Sequence, residues 1–154
     1  MIQTEDFDVG AEIGAICSVV EDAGAVASFV GLCRGEGGTL DGVYLESYPA
    51  MAYLEFDSII NAADERWSLG AVTIIHRYGR VLAGERIVLV AVAARHRKEA
   101  FAAAEFIMDF LKHDAPFWKR ELRADGDSGA AGWVAAKASD ASAAARWGVA
   151  RKER

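Results

Sequence analysis

Cysteine and proline are scarce, with two of each in 154 residues, and the 17 basic residues are outnumbered by 23 acidic ones. Each shortage excludes a class of function. Cys17 and Cys33 lack C-x-x-C spacing, and His76, His96 and His113 form no H-x-x-x-H pattern, so neither a zinc site nor a dithiol redox motif is encoded. A structural disulfide is not expected either. The formal net charge of -6 gives no general attraction for polyanions, which argues against a nucleic-acid partner. Apolar runs break well short of the ~18 residues that a membrane span requires, and no basic-then-apolar leader is visible, so no membrane association and a cytoplasmic location are expected. The P-loop, the dinucleotide G-x-G-x-x-G and the nucleophile elbow are all missing.

What remains is the composition of a globular chain, 53% hydrophobic and 26% charged, long enough for one substantial core. Residues 1–147 are expected to form a single domain and 148–154 a frayed tail. Asp8 is placed to cap a helix with Ile13, Ile16, Cys17 and Val20 on its apolar stripe, which makes Cys17 a small core residue. Strands follow at Ala25–Cys33 and Gly42–Tyr48, separated by the R-G-E-G-G loop at Arg34–Gly38. A helix over Ala50–Trp67 is amphipathic through Met51, Leu54, Ile59 and Ala62. Strands at Val72–Tyr78 and Arg86–Ala94 come next, the second apolar enough to be central. The helix from Arg97 carries Phe101, Ala104, Met108 and Leu111 on its inner stripe. Ala124–Gly132 reads as a loop, Trp133–Lys137 as a short strand and Ser139–Trp147 as a last helix. The order αββαββα with a further strand and helix indicates an α+β domain, with helices packed on a mixed or largely antiparallel sheet.

Cations cluster at the ends of these elements. Pro116 disfavours the α region at Ala115 and should stop the long helix. Lys112 then falls on the last turn and Lys119 on an extended segment that can fold back beside it. Phe117, Trp118 and Trp133 are candidates to anchor an interface. Arg34 follows the first of the two strands above, and R-H-R-K (Arg95–Lys98) opens the long helix, where cations oppose the dipole unless an anion lies between them. In an acidic chain these groups point to a small anionic ligand. Two uses remain open at this level: catalysis on that ligand, or a non-catalytic module that binds a small anion or a protein tail.

The stretch from Ile74 to Glu121 contains, in order, H-R-x-G, A-x-R-H-R and A-P-F-W-K-R-E. With S-F-V-G-L-C-R (Ser28–Arg34) and L-E-S-Y-P-A-M (Leu45–Met51), it resembles the catalytic large subunits of molybdopterin synthase, the MoaE family. The resemblance runs nearly to Trp147. It implies an α/β-hammerhead fold and sulfurtransferase activity, the conversion of cyclic pyranopterin monophosphate into the dithiolene of molybdopterin for molybdenum cofactor biosynthesis. The implied sulfur donor is a small ubiquitin-like carrier with a thiocarboxylated C-terminal Gly-Gly, bound to a large-subunit homodimer within a heterotetramer. No resident cofactor and no metal are implied. Carried over by position, Lys119 and Lys112 are the catalytic residues. Arg34, His96, Arg97, Lys112, Lys119, Arg120 and Glu121 bind substrate, with Leu32 and Cys33 in the same segment as Arg34. Many relatives carry a lysine where this chain has Leu32.

Overall fold

The computed structural model describes residues 1–113, 116–123, 133–134 and 138–148. The expectations for Ala124–Gly132 and for the tail beyond Gly148 lie outside the described residues, as does the side chain of Trp133. Asp8 caps helix α1 (Val9–Ser18) by accepting a hydrogen bond from the Ala11 amide at 3.1 Å. Its buried contact is Ile16, flanked by Ile13 and Val20. Cys17 departs from expectation and is exposed, because successive helical residues are rotated by about 100° and Ile16 takes the inward position. Cys17 and Cys33 are both free thiols.

The apolar run of β6 (Arg86–Ala94) occupies the centre of a four-stranded sheet of order β1-β4-β6-β2, with β1 Ile2–Gln3, β2 Ala25–Leu32 and β4 Ala71–Arg77. Both its neighbours run antiparallel to it, whereas β1 joins β4 in parallel. Burial on both faces explains the lack of polar alternation in β6. Val88, Val90, Val92 and Ala94 pack in the main core with α3 (Arg97–His113), while Leu89, Ala91 and Ala93 meet Phe7 and the α1 side. Helix α3 ends at His113, as the proline requires. It buries a broader face than expected: Phe106, Ile107 and Ala103 are fully enclosed, whereas Phe101 is 68% exposed.

Helix α2 (Pro49–Trp67) starts with proline at its first position and ends on Ser68 in the left-handed region, φ 49°. Its buried face is Ala52, Glu55, Phe56, Ile59 and Ala63. Met51 and Leu54 are 47% and 70% exposed, so the stripe expected through them is rotated by about one residue. The small Ala52 and Ala63 let the helix approach closely, which hydrophobicity alone does not rank.

A second, antiparallel sheet has the order β5-β3-β7-β8, from β3 Leu40–Ser47, β5 Gly79–Leu82, β7 Phe117–Arg123 and β8 Trp133–Val134. Strand β5 and the short β1 go beyond the elements expected from sequence; four residues rich in glycine and arginine read as a turn. Gly42 is required where β3 meets β5, since a Cβ there would lie 2.2 Å from the Val81 carbonyl oxygen. Helix α4 (Ala138–Ala145) is followed by Trp147, which is docked by Asp109 of α3 accepting from its Nε1 at 2.8 Å and from Arg146 at 2.7 Å. The rings of Trp67 and Trp147 pack edge-on against Phe106.

Candidate functional site

The antiparallel return of β2 on β6, and of α3 over both, decides which basic groups can meet. Leu32 pairs with Arg86 at the start of β6, whereas Ala25 pairs with Ala94 at its end. Lys112, on the last turn of α3, therefore comes back to the end of the sheet where β2 delivers Leu32 and Arg34. There a cavity of about 420 Å³ opens. Phe29, Leu32, Ile87, Met108 and Leu111 give it apolar walls; Arg34, His76 and Lys112 give it polar ones. Arg34 is largely exposed and meets Glu36 at 3.5 Å. That carboxylate sits in a loop where Glu36, Gly37 and Gly38 have φ of 43°, 70° and 89°, a path that explains the glycine content of the segment.

Lys119 comes from the other sheet. It pairs with Leu45 on β3, and strand alternation puts it on the face shared by Phe117 and Glu121. Its ammonium is felt by Cys33, which packs with Val43, Leu45 and Val81. Phe117, two residues before Lys119 and so about 7 Å along the strand, lies against His76 in the cavity wall, ring centroids 3.7 Å apart. Lys112 and Lys119 thus approach the same region from a helix end and a strand. Burial pushes the Cys33 thiol up, with Lys119 pulling the other way. A protonated thiol is a poor sulfur-accepting nucleophile.

The remaining expected site residues are placed elsewhere. His96 and Arg97, both exposed, stand at the start of α3, fifteen residues before Lys112. At 1.5 Å per residue the separation is about 22 Å, so one protomer does not bring them to its own cavity. Arg120 points to the face opposite Lys119, its guanidinium 5.4 Å from the Tyr44 ring, with Trp118 edge-on to Tyr48 on the same face. Glu121 is on the Lys119 face and contacts Arg123 at 3.9 Å. Phe117 is not an outward interface anchor: it is held between His76 and Phe56. Trp118 is 44% exposed. Among the described residues no group of three or more His, Cys, Asp or Glu is arranged to hold a metal ion.

His76 is the site residue that sequence reasoning missed. Its Nδ1–H donates to the Arg77 carbonyl at 2.8 Å. Burial holds its pKa down to about 4, opposed by that hydrogen bond and helped by the nearby charge of Lys112. A signal was present: His76 alternates in phase with the core residue Ile74 on β4, and so belonged on the α3 side of the sheet.

Residues 2–114 match the family model described as MoaE protein. The chain belongs to the MoaE family. A similar curated relative is the molybdopterin synthase catalytic subunit of Mesorhizobium japonicum, 54% identical over 146 residues that cover 95% of this chain and 91% of that protein. Among solved structures, the molybdopterin biosynthesis MoaE protein of Burkholderia ambifaria superposes with TM-score 0.81 at 44% identity, covering 97% of both chains. The complex of subunits 1 and 2 of the Helicobacter pylori molybdopterin-converting factor gives TM-score 0.70 at 25% identity over 89% of each chain. The two sheets and four α-helices found among the described residues are thus this chain's form of the MoaE fold.

Proposed function

We propose that this chain is the catalytic subunit of a molybdopterin synthase, transferring sulfur from the thiocarboxylate of a small ubiquitin-like carrier to cyclic pyranopterin monophosphate. The observation that carries this reading is the cavity between β2 and the end of α3, walled by Arg34 and Lys112 and flanked by Lys119. Both reactants are anionic, and a cationic cleft in an acidic protein selects for them. The guanidinium of Arg34 suits the phosphate through parallel hydrogen bonds. The two ammonium groups hold the thiocarboxylate beside the pterin, converting an encounter into an oriented reaction. Lys119 serves as the principal acid/base and tail-orienting group, and Lys112 stabilises charge at the acyl-thio centre and at the opening phosphate. Each transfer forms one C–S bond on the pterin side chain and breaks one C–O bond there: in one the cyclic phosphate opens and stays attached through its other ester bond, in the other the side-chain oxygen leaves as water. In both, water cleaves the acyl–sulfur bond, so that the tail leaves as a carboxylate and the sulfur stays on the pterin.

The apolar walls suit a glycine tail and the pterin ring. His96 and Arg97 reach a cavity of this kind only on a second copy of the chain, so a homodimer within a heterotetramer completes the phosphate site. Glu121 steadies the Lys119 strand, while Arg120 serves the opposite face. Supporting the assembly, the Helicobacter pylori neighbour is itself a complex of two subunits. A cytoplasmic setting agrees with a chain in which no described helix is long and apolar enough to cross a membrane. Mass spectrometry of the pterin after mixing with thiocarboxylated carrier tests the proposal: a product with two added sulfurs and an opened phosphate supports it. Binding of both reactants without conversion would make the chain a tail-binding module instead.

A further inference from the structure

The cavity wall contains one aromatic nitrogen base whose place the cationic groups do not explain. His76 is held at two points. Its ring stacks on Phe117 with centroids 3.7 Å apart and planes at 21°, and Phe117 is itself stacked on Phe56. Its Nδ1 is committed to the Arg77 carbonyl at 2.8 Å. A carbonyl oxygen can only accept, so the proton is on Nδ1 and the remaining ring nitrogen, Nε2, carries a lone pair. His76 and Lys112 line the same cavity, and the charge of Lys112 is felt at the ring.

Lys112 needs such a partner. Its ammonium has three donors and no acceptor, it is exposed on the last turn of α3, and no hydrogen bond or ion pair joins it to another described residue. Arg34, in the same cavity lining, offers it no acceptor. Left alone, the side chain is driven towards water and away from the ligand. A carboxylate would draw it inward but would cancel the charge that an anionic substrate requires. An uncharged imidazole attracts it and leaves the positive field intact.

We propose that His76 is a positioning residue for Lys112: rotation of the Lys112 side chain, which makes no such contact in the structure, lets His76 Nε2 accept a hydrogen bond from its ammonium and turns that ammonium into the cavity towards the reacting atoms. This rests on the function proposed above. Phe117 then has a defined part, because it ties the orientation of His76, and through it Lys112, to the strand that carries Lys119. The two lysines are aligned by one stack of rings instead of independently.

The test uses the full chain with thiocarboxylated carrier and cyclic pyranopterin monophosphate, in single-turnover reactions. His76→Phe keeps a ring against Phe117 but removes the acceptor; His76→Gln restores a polar acceptor near the Nε2 position. His76→Phe should slow the transfer step by roughly tenfold to a hundredfold, the scale of a misplaced catalytic group, with substrate and carrier affinities little changed, and His76→Gln should recover most of the rate. In a Lys112→Ala background, His76→Phe should have almost no further effect on rate. An equal loss in both backgrounds, or a native rate for His76→Phe, overturns the proposal. A readout that does not depend on His76 variants is the ¹⁵N chemical shift of His76 Nε2 in the native chain and in Lys112→Ala. A change at Nε2 on removing Lys112 supports the hydrogen bond, and an unchanged signal refutes it. Native protein that gives no turnover while Nε2 still responds to Lys112→Ala would count against the function proposed above and leave the contact standing.

Discussion

Lowering the pH should destabilise the fold through His76 in a window of its own. In the native chain burial holds this imidazole's pKa near 4, against an ordinary histidine value of 6.5 that the unfolded chain regains. Between those values the unfolded chain takes up a proton that the folded chain refuses, so stability is lost as the pH falls. At about pH 4.5 the difference amounts to about 2.5 kcal/mol relative to neutral pH, and solvent screening of a part-exposed ring reduces the expected loss to about 1–2.5 kcal/mol. Asp6 acts in a lower window: the Arg86 hydrogen bond holds its carboxyl down to about 2, so its contribution is lost mainly below the ordinary carboxyl value, as the pH falls towards 2. Urea unfolding followed by tryptophan fluorescence at neutral pH and at about pH 4.5, at one protein concentration, measures the loss. The same pair of curves for His76→Phe should lack that part of the pH dependence. Equal acid losses in the native chain and in His76→Phe would refute the claim that a half-buried, uncharged imidazole lies in the cavity wall.

Other consequences can be checked separately. If His96 and Arg97 act across a dimer, mixing chains slowed by Lys112→Ala and by Arg97→Ala and allowing subunit exchange should raise turnover well above that of either variant alone, because each mixed dimer contains one intact site; no gain would return Arg97 to the solvent-exposed surface. Arg34→Ala should weaken pterin binding by about 1.5–3 kcal/mol, the scale of a hydrogen bond to a charged group, with carrier affinity by calorimetry nearly unchanged. Phe106→Ala should destabilise the chain by about 3–5 kcal/mol in denaturant titrations, since its ring is fully buried against Trp67, Phe110 and Trp147. Removing the carrier's last two glycines should abolish turnover while only modestly weakening association measured by light scattering.

Much of the frame was legible because its signals are local. The Asp8 cap, the doubly buried β6 and the proline stop after α3 each follow from a few neighbouring residues. The facing of α2 was not, because Met51 and Leu54 are as apolar as the residues that pack; closeness of approach at Ala52 and Ala63 settled it. Strand β5 was hidden because four residues between turns gain their stability from pairing with β3, a non-local contact. The site divides in the same way. Pro116 made readable that Lys112 ends a helix and Lys119 follows on a strand. Arg120 and Glu121 are neighbours in sequence but emerge on opposite faces once the segment is a strand. His96 and Arg97 share α3 with Lys112, yet helix length separates them. The sequence motif containing His76 was visible, but its role depends on Phe117 arriving from the other sheet.

The central claim is that Lys119 and Lys112, brought together by the end of α3 and the return of β7, carry out sulfur transfer. Single-turnover conversion of cyclic pyranopterin monophosphate by the native chain and by Lys119→Ala, each with thiocarboxylated carrier and quantified by mass spectrometry, tests it most directly. The native chain should yield dithiolene product, and Lys119→Ala, still folded and still binding the carrier, should yield almost none. Near-native conversion by Lys119→Ala would contradict the account.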